Sequence, residues 1–389
     1  MLKVTVLSIS LVILSAFAIA GILPEIQQSL GLTQTQADLL LTIPSIAILL
    51  AVLASNVVVN RIGMKKTVIA GLFIVGVAGS FPIVNPAYVP LLVSRFALGV
   101  GLGLFNPLAV SYISFLFAEK EVPSLMGFRS AVEAVGLGVF SFISGLLLYL
   151  GWHVSFSIYS TAFILLIIFL AKVPDVALED EQKKVEDIEQ NDDKMNPLVL
   201  PIVIFSAVIV VCGAAVGVRF PSLAAEIRGE GYNSSTVLAI QPLVNIFVAL
   251  VFGKFHHILG RKLLYIGIFA VIIAHLLIGF SNGNYPMIVV ALFLHGLIPA
   301  WIGPFIFNMI ARLTSGKQQN LAISLVMVGF NLGMFTFPFI IGFFEDLIGS
   351  TSLTDIYPFL AVFTAGMLVV IMLLGNKISK VSTNQQAIN

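Results

Sequence analysis

The sequence predicts an all-α membrane protein in which 12 transmembrane helices form two pseudo-symmetric six-helix bundles, and three observations carry that prediction. Hydrophobic residues make up 59% of the 389-residue chain and charged residues only 10%, against roughly half and a quarter in soluble domains. Twelve apolar stretches are each long enough to span a bilayer, which takes about 20 residues of helix. The two halves also match when the chain is shifted against itself by 197 residues: Pro24 meets Pro221, Gly63 Gly260, Lys65 Lys262, Asn85 Asn282, Tyr88 Tyr285, Gly99 Gly296, Pro107 Pro304, Gly136 Gly333 and Gly145 Gly342. Because the doubled unit is apolar throughout, the repeat implies two membrane bundles related by an axis along the membrane normal rather than a soluble solenoid.

The segments run at 4–23, 36–58, 67–84, 88–116, 123–148 and 153–171, then at 198–219, 236–256, 263–281, 285–311, 319–343 and 354–376. They give an N-terminal six-helix bundle at 1–172, an acidic cytoplasmic linker at 173–197 and a C-terminal six-helix bundle at 198–389. The first segment has the outline of a secretory signal, with Lys3, an apolar run and the small residues Ala16, Ala18 and Ala20. Its Pro24 matches Pro221 of the seventh segment, however, and cleavage would leave five helices facing six, so it is read as the first helix.

Cytoplasmic loops near helix ends collect Lys and Arg. With the N-terminus inside, Arg61, Lys65, Lys66, Lys120, Lys172, Lys254, Arg261, Lys262 and Arg312 all fall on one side, and the other keeps only Arg228, with Arg219 at a helix end. Both termini are therefore expected in the cytoplasm. The linker carries nine acids against three lysines over 173–196 and reads as a solvated tether. A single cysteine, Cys212, excludes a disulfide framework and a Cys-based metal site.

Polar and charged residues inside these segments are expensive in lipid and so are candidates for function. Asp38 lies near the outer end of the second segment. In the fourth, Arg95 is a permanent charge whose repeat mate is Leu292, so the fold unit does not need it. Its partner is open at this level: Asp38, a solute carboxylate or a backbone carbonyl. In the fifth, Glu133 sits near the midplane with Arg129 one turn away, a spacing that suits an i,i+4 ion pair. Glu133, Asp38 and His295 of the tenth segment are the candidate proton carriers. Arg95, Asn106, Arg219, Gln241, Asn245, Asn308 and Asn331 are the candidate cavity residues, although any one amide is more often a helix-packing hydrogen bond. Gly99-Val-Gly101-Leu-Gly103, inside an apolar segment, reads as a close-packing face and not as a nucleotide loop.

The turn between the second and third segments reads Asn56-Val-Val-Val-Asn60-Arg61-Ile-Gly63-Met-Lys65-Lys66, and its repeat mate Gly253-Lys-Phe-His-His257-Ile-Leu-Gly260-Arg261-Lys262. Both resemble the signature cytoplasmic loop of the major facilitator superfamily, G-x-x-x-D-R-x-G-R-K, and Arg95-Phe-Ala-Leu-Gly99-Val-Gly101 resembles its fourth-helix motif, R-x-x-x-G-x-G. The resemblance covers the whole chain. It implies the superfamily fold and secondary transport by rocking of the two bundles around a cavity lined by helices 1, 4, 7 and 10. It also implies a gating loop at Asn60, Arg61, Gly63, Lys65, Gly260 and Arg261. In the family an Asp of this loop forms a charge relay that locks the outward-open state; here Asn60 stands in its place and Asn56 replaces the first Gly.

The branches most resembled are the drug/proton antiporters and the cyanate and nitroimidazole porters, yet the antiporter signature G-P-x-x-G-G is replaced by Gly136-Leu-Gly138 without a proline. The expected function is proton-coupled efflux of amphipathic compounds. The alternative is a proton-coupled porter for a small organic anion, favoured by Arg95, Arg129 and Arg219 outnumbering Asp38 and Glu133. No cofactor beyond protons, no metal and no nucleic acid is expected; the partners are a small-molecule substrate and the lipid bilayer of the cell membrane, with the chain a monomer. An enzyme would need a convergent catalytic set, a sensor a sizeable soluble domain, and a channel has no use for a doubled gating loop.

Overall fold

The computed structural model describes residues 2–175, 196–229, 231–260, 262–314, 316–349 and 352–386. In chain order the membrane helices are α1 (Leu2–Leu30), α2 (Gln34–Ile62), α3 (Met64–Ile83), α4 (Tyr88–Leu116), α5 (Ser124–Leu150), α6 (Val154–Lys172), α7 (Val199–Arg228), the shorter α8 (Ser235–Leu250), α9 (Lys262–Gly279), α10 (Tyr285–Ala311), α11 (Leu321–Ile348) and the shorter α12 (Tyr357–Met372). Ten of them are long and apolar enough to cross a membrane among the described residues. Most of the predicted acidic linker and Arg261 of the gating loop lie outside the described residues.

Several helix ends differ from the sequence expectation. Helices α1 and α7 continue past Pro24 and Pro221 as Leu23–Leu30 and Phe220–Arg228, because a proline in the first turn of a helical piece has no N–H to lose. The eighth segment, expected to reach 256, breaks after Leu250 and resumes as a separate helix, Phe252–Leu259. The eleventh, expected to end at 343, runs to Ile348 and so carries Glu345 into the molecule.

Local chemistry sets the turns. Gly31 closes α1 at φ +61°, and Thr33 then opens α2 with a capping box, its hydroxyl accepting from Gln36 N at 3.2 Å while the Gln36 side chain accepts from Thr33 N at 2.9 Å. The centre of α1 is overwound, with 3-10 turns at Ile9–Val12, Ser15–Phe17 and Ala20–Ile22. Such turns hold backbone carbonyls in poorer internal hydrogen bonds and leave them open to other donors.

Small residues let the helices approach closely. Gly99 and Gly103 of α4 lie on the backbone of α2 at Pro44 and Ile48, and Gly71 of α3 lies on Gly101 O. In α5, Gly136 lies on Leu11 O of α1, and its repeat mate Gly333 of α11 lies on Ala207 O of α7. About two and a half turns further along, Gly145 meets Ser235 of α8 and its mate Gly342 meets Thr35 of α2. The duplication is thus repeated in the packing: α5 and α11 each rest on the first helix of their own half and on a helix of the other.

Those cross-half contacts gather at the end opposite the chain termini. Gly21 of α1 also meets Ser235 there, and Asn233 Nδ2 donates to Gly145 O at 2.8 Å. The apolar core follows the same division. One buried cluster runs through the first half and into the far end of the second, from Val6 and Leu72 to Leu223 and Leu292; a separate one, with Ile202, Leu264, Ile306 and Val326, fills the termini-side end of the second half alone.

Candidate functional site

Three polar clusters interrupt this apolar scaffold. The largest closes the far end. Arg219, at the joint where α7 restarts, donates from Nε to Asp38 Oδ2 of α2 at 2.8 Å, with both side chains fully buried, and from Nη1 to Glu345 Oε1 of α11. Gln34 Nε2 donates to Asp38 Oδ1 at 2.8 Å and lies 3.1 Å from Ser222 Oγ of α7. The guanidinium also lies over the Phe337 ring, 5.7 Å from its centroid. Arg219, expected to face a substrate cavity, is instead enclosed between two carboxylates, and Asp38, just after the first turn of α2, is one of them. Glu345 was not foreseen. The repeat offered a signal for it, since the fifth segment was read to Leu148 and the register maps that residue onto 345.

Arg95 forms the second cluster and differs from the expectation of a solute-handling charge. The residue is 1% exposed, and each of the three guanidinium nitrogens donates: Nε to Leu40 O at 3.0 Å, Nη1 to Tyr159 Oη at 2.8 Å, and Nη2 to Ala16 O. Tyr159 Oη in turn donates to Ser15 O at 2.8 Å. Ser15 and Ala16 belong to the overwound turns of α1, so α4 and α6 hold α1 by carbonyls that a regular helix would have kept to itself. Of the three partners left open by the sequence, the carbonyl is the one present, joined by a tyrosine; Asp38 is committed to Arg219. The second half uses a related tether, Tyr357 of α12 donating to Ala215 O of α7.

The third cluster lies in the first half, nearer the termini. Arg129 and Glu133 of α5 form the expected i,i+4 pair at 2.9 Å, each side chain 16% exposed, and Arg129 Nη2 donates to Asn106 Oδ1 of α4 at 2.5 Å. The pair is imperfect: the contact runs from Arg129 Nη2 to Glu133 Oε1 but is not aligned as a hydrogen bond, and Arg129 Nε has no described acceptor.

Across from it, α8 and α10 carry neutral polar groups. Gln241 Nε2 lies 3.4 Å from His295 Nδ1 and 3.5 Å from Leu292 O, and Asn245 Oδ1 rests against Gly296. Ile298–Ile302 form a π turn just beyond, from which Trp301 Nε1 donates to Val248 O at 3.2 Å. Asn331, on an exposed part of α11, donates to its own helix at Met327 O at 2.9 Å, and Asn308 is partly buried in α10. His275, not singled out by the sequence, is buried between Cys212 O at 3.0 Å and Thr364 Oγ1 at 3.4 Å.

In the loop after α2, Gly63 has φ +86° and accepts from Thr67, while Asn60 and Arg61 are exposed. Lys65 and Gly260 are partly buried. The structure therefore brings together Asp38 with Arg219, Arg129 with Glu133 and Asn106, and Gln241 with His295, and it leaves the gating loop apart from all three clusters.

Two helical halves that meet at one end of a membrane molecule, with ion pairs and amides along their interface, are the build of a solute transporter. The comparisons give the family. The chain belongs to the Major Facilitator Superfamily, whose family model matches residues 5–274 and 233–386. It is 23% identical over 355 residues to an MFS-type transporter of Methanocaldococcus jannaschii, covering 89% of this chain and 90% of that one. The fold matches the nucleoside transporter NupG with a TM-score of 0.75 at 14% identity, covering 96% of this chain and 98% of that one. It matches the inward-open conformation of the xylose transporter XylE from Escherichia coli with a TM-score of 0.72 at 15% identity, covering 94% of each. The family makes the chain a transporter rather than an enzyme.

Proposed function

We propose that the protein is a proton-coupled secondary transporter that exports small amphipathic compounds across the cell membrane, with both termini in the cytoplasm. The halves meet at the far end and their apolar cores are separate near the termini, which supports a conformation closed at the far end. The observation that carries the coupling is the imperfectly paired Arg129–Glu133–Asn106 cluster, partly exposed on the inner half of α5 and α4. A carboxylate held by one imperfect ion pair in a membrane interior is suited to take up and release a proton. The export reading is supported by the state of two of the intramembrane arginines: Arg95 is bonded to Leu40 O, Ala16 O and Tyr159, and Arg219 is ion-paired with Asp38 and Glu345, so neither charge is held for an anionic solute.

A rival reading, import of a small organic anion, draws on a shorter match, 26% identical over 140 residues, to a probable L-galactonate transporter of Escherichia coli K12 that covers 36% of this chain. Proteoliposomes with an imposed pH gradient separate the two. Gradient-driven movement of ethidium, lost in Glu133→Gln with the protein still folded, is the expected result; gradient-driven uptake of labelled galactonate without dye movement would establish the rival. An undiminished gradient response in Glu133→Gln would remove the carboxylate from the coupling.

A further inference from the structure

We infer that the second half recognises the solute through an uncharged hydrogen-bonding site made by Gln241, Asn245 and His295, and that the solute part it takes is a neutral hydroxyl- or amide-bearing group. This rests on the reading of the chain as a solute transporter and adds the chemical class of its cargo.

The repeat supplies the first argument. Under the 197-residue shift, Gln241, Asn245 and His295 fall on Pro44, Ile48 and Leu98. The same helix crossing is built in the first half from apolar residues, so packing does not require polar ones in the second. The reverse holds for the charges: Asn106, Arg129 and Glu133 fall on Gly303, Val326 and Phe330. At this level of the bundles the Arg129–Glu133 pair lies in the first half and Gln241, Asn245 and His295 in the second, while the charges of Arg219 and Glu345 lie at the far end.

The second argument is spare bonding capacity. A Gln, an Asn and a His together offer several donors and acceptors, but the contacts within the cluster are two long ones from Gln241 Nε2, at 3.4 Å and 3.5 Å. Among the described residues the Asn245 amide has no hydrogen-bond partner, and His295 Nε2 has none either. All three side chains are only partly buried. Polar groups in a membrane interior are normally bonded, so three neighbouring under-used ones call for a partner that comes and goes.

The third argument is shape. Gly213 and Gly217 of α7 form a notch filled by the His295 imidazole, which fixes the ring between α7 and α10. Gly296 lets the Asn245 amide lie against the α10 backbone, and the π turn at Ile298–Ile302 widens α10 directly beyond. Single π turns recur at functional sites. No Lys, Arg, Asp or Glu belongs to this cluster, which sets a neutral group above a carboxylate as its ligand.

The test replaces Asn245 and His295 by their own repeat mates, Asn245→Ile and His295→Leu, since the fold unit already accepts those residues there; Gln241, whose mate is Pro44, is changed to Leu instead. The purified protein in nanodiscs is heated with matched probes, galactitol against galactonate, uridine against uridine monophosphate, and benzamide against benzoate, with no pH gradient. The expected result is a rise in melting temperature with neutral members, and half-saturation weakened roughly tenfold by each exchange, the size of one lost hydrogen bond. Gly127→Ala, which meets open space outside every polar cluster, should leave this binding unchanged, and because no pH gradient is imposed a failure of proton coupling and a failure of this site are told apart. Stabilisation by no neutral probe, stabilisation by charged members in preference, or full binding in the Asn245→Ile, His295→Leu double variant would each overturn the inference.

Discussion

Replacing Asp38 by asparagine probes the ion pair that spans the two halves. The 2.8 Å contact with Arg219 is fully buried, and when the far end opens Asp38 leaves with the first half while Arg219 and Glu345 stay with the second. A hydrogen bond to a charged group contributes about 1.5–3 kcal/mol and a neutral one about 0.5–1.5. Asp38→Asn therefore weakens the closed far end by about 1–1.5 kcal/mol, or roughly tenfold in population. Arg219 is not stranded, because Glu345 still balances it. Arg219→Leu is harsher, leaving two buried carboxylates without a cation at a cost of about 3–5 kcal/mol, and adding Asp38→Asn with Glu345→Gln should recover most of it. Spin labels at Tyr149→Cys and Leu347→Cys, both on exposed far-end positions of α5 and α11, report the opening in a Cys212→Ser background. A longer-distance population should grow in Asp38→Asn and grow further in Arg219→Leu. Identical distance distributions in all variants would refute the ion pair as a determinant of the closed end.

Arg95→Lys should lower the melting temperature sharply, since an ammonium cannot span Leu40 O, Ala16 O and Tyr159 together and the loss amounts to about 2–4 kcal/mol. Tyr159→Phe alone should cost about 1 kcal/mol, and in the double variant less than the sum, as one network predicts; additive losses by thermal unfolding would separate the two residues. Gly136→Ala, which forces a methyl onto the α1 backbone, should destabilise by about 1–3 kcal/mol, whereas Gly127→Ala meets open space and should be near neutral in the same melt. Equal melting of the two alanine variants would mean that α1 and α5 do not need their close approach.

What could be read from the sequence follows from the range of the signal. Helices α4 and α10 begin at Tyr88 and Tyr285 as expected, because a polar turn and a following proline mark both starts. The Arg129–Glu133 pair was legible because helical spacing alone brings i and i+4 together. Arg95 was legible as an intramembrane charge but its partners were not: they are backbone carbonyls released by the winding of α1, and no residue type announces a 3-10 turn in an apolar run. Arg219 reads as a lone cation because the apolar run stops at the acidic pair Glu345-Asp346, so a segment bounded by hydropathy ends short of the carboxylate that the helix carries inward.

The glycines of α5 and α11 have a mechanical consequence. At Gly136, Gly145, Gly333 and Gly342 the facing surface is bare main chain or a small hydroxyl residue. Interdigitated side chains make two helices move past each other in jumps of a whole turn, each with its own barrier. Smooth surfaces lack such teeth. At these four points, two within a half and two between the halves, the helices form a plain bearing that can glide by fractions of an ångström without any rotamer change, so resistance to sliding of one half on the other is concentrated in polar contacts such as the charged latch and the Asn233 hydrogen bond to Gly145.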